Sequence, residues 1–224
     1  MTTNTSPTYQ IVSIDGNIAS GKTTFFDEWQ TRLKGKLLNG KRVIFAPEPV
    51  NDWQTIKDEN GITIVEKFYK NQIKFAFSFQ MMAYISRLSI LRKIIRDAGD
   101  EPIIIITERS LFTDKHIFAK MLYDQGKIEQ VDYQIYLKWF QEFADDFPVN
   151  HCVYIRADPE TCFERTKKRS RVGENIPLEY LEECHRYHED YIFSHIPIVI
   201  DGNQDVFKQP ELVTEWIERI TNSI

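Results

Sequence analysis

The sequence predicts an α/β fold in which a parallel sheet of five strands lies between helices. Two observations predict it. Short β-branched runs alternate with longer helical patterns along the 224 residues, which is the order of a βαβ series. The runs are apolar nearly throughout rather than alternating, as in strands covered on both faces.

The expected strands are YQIVSI (9–14), RVIFA (42–46), PIIIIT (102–107), HCVYIR (151–156) and PIVI (197–200). The segments between them are long enough to be crossover helices. The last, 210–222, reads as a closing helix, with Leu212, Trp216 and Ile220 at four-residue spacing. No repeat, low-complexity tract or linker interrupts the chain, so one domain is expected over 9–224, after a short disordered leader at 1–8.

Bulk properties narrow the function. With 42% hydrophobic and 27% charged residues the chain reads as an ordinary globular protein. Its 28 basic and 33 acidic residues give a net charge of −5. That offers no global attraction to nucleic acid or to an anionic membrane, so any phosphate must be held by locally clustered groups. The three cysteines, Cys152, Cys162 and Cys184, are odd in number and lack CxxC spacing. Neither a disulfide framework nor a zinc site is expected from them. No apolar run reaches the length of a membrane span. The N-terminus, MTTNTSPTY, has neither the core of a signal peptide nor presequence arginines. A cytoplasmic protein is expected.

The first strand runs into GNIASGKTT, residues 16–24. This fits GxxxxGK[ST] and assigns Gly16, Asn17, Ile18, Ala19, Ser20, Gly21, Lys22, Thr23 and Thr24 to a phosphate-binding loop. The glycines let backbone N–H groups turn inward around phosphate oxygens, Lys22 neutralises the β- and γ-phosphates, and Thr23 offers a hydroxyl to Mg²⁺. The helix that follows aims its N-terminal dipole at the same anions. The expected architecture is therefore a three-layer fold of the P-loop NTPase type. A nucleoside triphosphate alone does not define the reaction. A GTPase would carry an NKxD guanine reader, and the nearest segment, GNQD at 202–205, lacks the lysine. A motor would be longer or modular. A small-molecule kinase leads.

Ligands of such sheets gather at the carboxyl ends of the strands. The second strand ends in PEPVNDW (47–53), which puts Glu48 at the edge of the site. A carboxylate there accepts the proton of an attacking hydroxyl and repels an acceptor that already carries phosphate. Taken alone, Glu48 fits a solvated loop glutamate equally well. The third strand ends in TERS (107–110). Glu108 there suits Mg²⁺, and Arg109 suits the transferring group or Glu48. A local ion pair is the plainer alternative. Late in the chain, CFERTKKRSR (162–171) sets Arg165 and Arg169 on one helical face, with Arg171 beyond. They read either as a solvated basic face or as an arginine lid, at about 165–175, that supplies charge and excludes water.

The segment SFQMMAYISR (78–87) carries a Gln and an Arg inside an apolar helix. At 100° per residue Tyr69, Gln80, Ala83 and Arg87 share one face, although a straight helix from Tyr69 to Gln80 spans ~16 Å. Either the helix begins after Tyr69 or it breaks. A buried Gln suits a base edge, and a buried Arg needs an acid, for which Asp114 is the candidate. The residues alone favour the plainer alternative, in which Gln80 and Arg87 are lateral surface residues and Asp114 is a helix-start acid beside Thr113.

Together GNIASGKTT, EPVNDW, FQMMAYISR, ERSLFTD, the arginine segment with IPLEYL (176–181) and DGNQD (201–205) resemble, in order, the deoxynucleoside kinase family. The resemblance covers roughly residues 9–207. It implies a five-stranded parallel sheet and phosphorylation of a deoxynucleoside by ATP with Mg²⁺. By that resemblance Glu48 is the base for the 5′-hydroxyl, Arg109 its partner, and Thr23 with Glu108 the metal ligands. Trp53, Phe79 and Phe118 wall the nucleobase, and Tyr69 meets the sugar 3′-hydroxyl. Arg169 and the stretch from Asn203 through Asp205 to Phe207 hold the donor adenine. Glu174 matches a lid glutamate that meets the 3′-hydroxyl, but RSRVGENIPL is one residue shorter than the family's lid and has a single acid. Members with Ala, Arg and Asp at the places of Ala83, Arg87 and Asp114 resemble deoxycytidine and purine-deoxynucleoside kinases rather than thymidine-accepting ones. The resemblance also implies a homodimer through helices that include 62–98. Two rivals are a monophosphate kinase of the thymidylate kinase type and a non-catalytic nucleotide-binding module.

Overall fold

A computed structural model describes residues 8–169 and 175–224. The expected leader, apart from Thr8, lies outside them, as do Arg171 and Glu174 of the expected lid.

The chain order is β1 (Tyr9–Asp15), α1 (Lys22–Leu33), β2 (Leu37–Leu38), β3 (Lys41–Ala46), α2 (Val50–Thr55), α3 (Ile64–Lys70) and α4 (Gln72–Ala98). Next come β4 (Ile103–Glu108), the single turn α5 (Leu111–Thr113), a π-helical segment (Asp114–Ala119), α6 (Lys120–Asp124) and α7 (Gln130–Ala144). The chain closes with β5 (Val149–Arg156), α8 (Pro159–Arg169), α9 (Leu178–Ile192), a 3₁₀ turn (Phe193–His195), β6 (Ile198–Asp201) and α10 (Glu211–Thr221).

The described residues form a six-stranded sheet in the order β2-β3-β4-β1-β5-β6. This corrects the expected five. The five expected strands are present and parallel. The sixth, β2, pairs antiparallel with β3 across a two-residue loop. Asn39 and Gly40 in that loop have φ of 52° and 73°, the backbone of a type I′ hairpin. Asn-Gly was the signal for it, and a two-residue strand is too short to show periodicity.

Helices cover both faces. Along β4, Ile103 and Ile105 meet Tyr84, Leu88 and Leu91 of α4 with Tyr136 and Phe140 of α7. Ile104 and Ile106 point the other way, to Phe25, Phe26 and Trp29 of α1 and to α10. All four isoleucines are at most 1% exposed. Period-two alternation with both faces buried therefore reads as a continuous apolar run, and each such side chain contributes about 1.5–3 kcal/mol. On α10 the buried stripe is Val213, Ile217 and Ile220. Leu212 and Trp216, expected to lead it, flank it half-buried.

The candidate site sits where the chain crosses β1. β4 lies on one side of that strand and β5 on the other, so the chain reverses its direction across the sheet there and leaves a crevice at the carboxyl end of β1. Near the crevice the helix question is settled by a break. α3 opens on a reciprocal Thr63–Glu66 capping box. α4 opens afresh at Asn71, whose side chain accepts the Lys74 N–H at 3.1 Å. Tyr69 and Gln80 thus sit on different helices.

Candidate active site

One cavity of about 780 Å³ opens at the carboxyl ends of the strands. Its polar end is the loop between β1 and α1. Gly16 has φ of 150°, and a Cβ there would stand 2.5 Å from the Ile155 carbonyl oxygen. Only glycine lets the loop turn this tightly beside β5. Gly21 and Ala19 also take positive φ, 107° and 60°. Lys22, the first residue of α1, is 4% exposed. Its Nζ donates to the Gly16 and Asn17 carbonyls at 3.1 and 2.6 Å. Burial, helped by the neighbouring Arg109, lowers its pKa to about 7. Asn17 anchors the loop by donating from Nδ2 to the Leu181 carbonyl of α9 at 2.9 Å.

Thr23 Oγ1 donates to Glu108 Oε1 at 2.8 Å. A hydroxyl and a carboxylate converge there, and an all-oxygen pair of this kind fits a hard divalent cation. Arg109 follows at the end of β4 with φ of 67°, a backbone conformation that is unfavourable for a side chain of this kind and typical of working sites. The turn aims its guanidinium back across the loop. Nη1 donates to the Gly16 carbonyl at 2.7 Å, Nε donates to Glu48 Oε1 at 3.1 Å, and the group lies 4.8 Å over the Phe118 ring. Glu48, which lines the cavity, is thus tied through Arg109 to the phosphate loop. Its side chain keeps 19% exposure. Burial raises its pKa, but Arg109, Arg87 and Lys22 outweigh that and hold the carboxyl below its ordinary value.

The other end of the cavity is apolar. Trp53 on α2 meets Phe79 of α4 edge-on at 5.4 Å, and Phe68 of α3 stacks on Phe79 at 4.7 Å. Tyr69, Ala83 and Phe118 complete the lining. Gln80 is 3% exposed, and its Oε1 has no hydrogen-bond partner among the described residues. A buried acceptor of this kind fits a ligand that donates to it. Behind the wall, Arg87 Nε donates to Asp114 Oδ2 at 2.9 Å, and both side chains are 4% exposed. Arg87 also donates to the Glu108 carbonyl and lies 3.7 Å from Glu48. The π-helical segment carries both Asp114 and Phe118 to the cavity wall.

The structure thus brings the described sequence-expected residues together, with Arg87 just behind the lining, while Arg171 and Glu174 lie outside the described residues. Arg165, Arg169 and Asp205 also line the cavity, and Arg165 reaches the phosphate loop at the Ser20 carbonyl. Ser86 and Phe68 are among the contributors that escaped sequence reasoning. Ser86 Oγ accepts the Trp53 indole N–H at 2.9 Å and so fixes that ring. It stands one residue before Arg87, but nothing in a lone serine announced a partner on another helix. Phe68 was hidden in the general apolarity of α3.

A family model described as deoxynucleoside kinase matches residues 12–224. The chain belongs to the deoxynucleoside kinase family. Relatives bear this out. Human deoxycytidine kinase is 30% identical, with 95% of this chain and 91% of that protein covered. Deoxycytidine kinase 2 of Gallus gallus is 32% identical, with 92% and 86% covered. Human mitochondrial thymidine kinase 2 is 31% identical, with 94% and 77% covered. This deoxynucleoside kinase is therefore a transferase that phosphorylates nucleosides. Relatives named for different bases stand at nearly equal identity, so overall likeness does not rank its substrates. Among its described residues no helix is long and apolar enough to cross a membrane.

Proposed function

We propose that this kinase transfers the γ-phosphoryl group of ATP to the 5′-hydroxyl of deoxyadenosine, deoxyguanosine or deoxycytidine in preference to thymidine, as a step of nucleotide salvage. One observation carries the reading: Glu48 is held at 3.1 Å by Arg109 where the phosphate end of the cavity meets its apolar end. A base at that junction takes the proton of a hydroxyl whose nucleobase lies between Trp53, Phe79 and Phe118. The hydroxyl oxygen then bonds to the γ-phosphorus as the bond to the ADP oxygen breaks. Lys22 and Arg109 stabilise charge on the transferring oxygens. Thr23 and Glu108 would hold Mg²⁺, which supplies charge neutralisation at the phosphates. Gln80 accepts from the base edge, Tyr69 meets the 3′-hydroxyl, and Arg169 with the loop around Asp205 receives the donor base. The preference for a base with an exocyclic amine or purine ring rests on Ala83 and the Arg87–Asp114 pair.

A panel of the four deoxynucleosides, their ribo-counterparts and dTMP, read by ADP release, tests this. The expected result is turnover of the three favoured deoxynucleosides, weaker turnover of thymidine and none of dTMP, whose phosphate meets the Glu48 carboxylate. Thymidine kcat/KM at or above the other three would overturn the base preference. Turnover of dTMP alone would favour the thymidylate kinase type, and ATP binding without turnover a non-catalytic module.

We further read 9–224 as one kinase domain, cytoplasmic and homodimeric. Three unpaired cysteines support a reducing compartment. An apolar stripe of Val131, Ile135 and Trp139 on α7 is 41–65% exposed, and α4 meets this helix where Tyr84 Oη donates to the Trp139 carbonyl at 3.1 Å. Stripes of this kind mark protein contacts. Light scattering of wild type at twice the monomer mass, and of Trp139→Glu at the monomer mass, is the expected outcome. A monomeric wild type would remove the dimer.

A further inference from the structure

Gly202 follows β6 and opens the loop that runs to Phe207. Its N–H donates to the Arg156 carbonyl at 2.7 Å. A Cβ on Gly202 would stand 2.8 Å from Ile155 Cγ2, 3.0 Å from the Ser20 carbonyl oxygen and 3.1 Å from Ala157 Cβ. Gly202 is not among the positive-φ glycines. The demand for glycine here is therefore clearance alone, because the chain passes closely over both the end of β5 at Ile155 and the Ser20 carbonyl of the phosphate loop, with no room for a methyl group.

Arg165 of α8 spans the same contact. Its Nη1 donates to the Ser20 carbonyl at 3.1 Å and to the Gly202 carbonyl at 2.7 Å. Its Nη2 donates to the Gln204 carbonyl at 3.3 Å. One planar guanidinium thus joins three backbone oxygens on two segments, which a point-charge ammonium would not reproduce. Asn203 adds a fourth tie, accepting the Asp158 N–H at 2.9 Å. Sequence reasoning grouped Arg165 with the lid arginines that meet phosphate, but the hydrogen bonds of this side chain go to carbonyls.

We propose that Arg165 and Gly202 form a bracket that sets the loop 203–207 in register against the phosphate loop, so that donor base and donor phosphates are received at a fixed separation. Arg165 is in this sense a positioning residue. The inference rests on the reading of the site as one that takes ATP.

Calorimetric binding of ATP, inorganic tripolyphosphate and the best deoxynucleoside to wild type, Arg165→Gln, Gly202→Ala and the double variant tests it. Each single variant is expected to weaken ATP about tenfold or more while tripolyphosphate and deoxynucleoside stay within about twofold. The double variant is expected to match the weaker single, because both remove one bracket. Equal loss of tripolyphosphate and ATP in Arg165→Gln would place Arg165 on the phosphates and overturn the proposal. Unchanged ATP binding, or losses that multiply in the double variant, would overturn it too. If Gly202→Ala does not fold, Arg165→Gln with the tripolyphosphate comparison decides. Binding is read without turnover, so an inactive wild type that binds ATP defeats the proposed reaction and leaves the bracket tested.

Discussion

Glu48→Gln is expected to lower kcat by about 10²–10⁴-fold and to leave deoxynucleoside affinity within about threefold. The amide keeps the shape of the side chain and its oxygen can still accept from Arg109 Nε, but it takes no proton. The pH profile sharpens the test. The active form of Glu48 is the carboxylate, and Arg109, Arg87 and Lys22 hold its pKa below the ordinary value against the effect of burial. The acid limb of kcat/KM, which reports the free enzyme, is therefore expected to lie below the usual carboxylate range. Lys22, with a pKa of about 7, is already charged across that limb and does not shape it. Near-normal turnover of Glu48→Gln would refute the base.

Removing Arg87 is expected to have the largest effect on stability. Arg87→Met leaves Asp114 buried without its cation. Breaking a buried pair from one side costs about 3–5 kcal/mol, or roughly 6–20 °C in Tm for a chain of this size. Burial already pushes the Asp114 carboxyl up in spite of Arg87. Without the arginine the folded state binds the proton more tightly still than the unfolded chain does. Stability of the variant therefore rises as pH falls from 7 towards 5, and the deficit against wild type shrinks. Adding Asp114→Ala removes the stranded charge and is expected to recover most of the loss, because buried pairs are often neutral against apolar replacement. The Glu108 carbonyl still lacks its donor, so recovery stays partial. Activity follows a different course. The double variant is expected to lose about tenfold or more in deoxycytidine kcat/KM relative to thymidine. An unchanged ranking of bases would show that the pair serves the fold and not the base.

Much of this molecule was legible in the chain. Five of its strands, the phosphate loop and the closing helix follow from periods of two and 3.6 and from glycines at fixed offsets, all of which are local. β2 was not, because two residues cannot display a period, although Asn39-Gly40 announced the turn. Tyr69 shared a computed face with Gln80 only for an unbroken helix, and Asn71 interrupts it. The residue types of the site were likewise visible at strand ends and on α4. Their partnerships were not. Arg87 meets Asp114 across 27 residues and Arg109 meets Glu48 across 61. The first depends on the packing of α4 against the segment that opens at Asp114, the second on the pairing of β3 with β4 and on the positive φ of Arg109, and no local pattern encodes either. Arg165 shows the difference most sharply. Sequence placed it on a basic helical face, and only the approach of two backbone segments, allowed by the missing side chain of Gly202, decided which oxygens it holds.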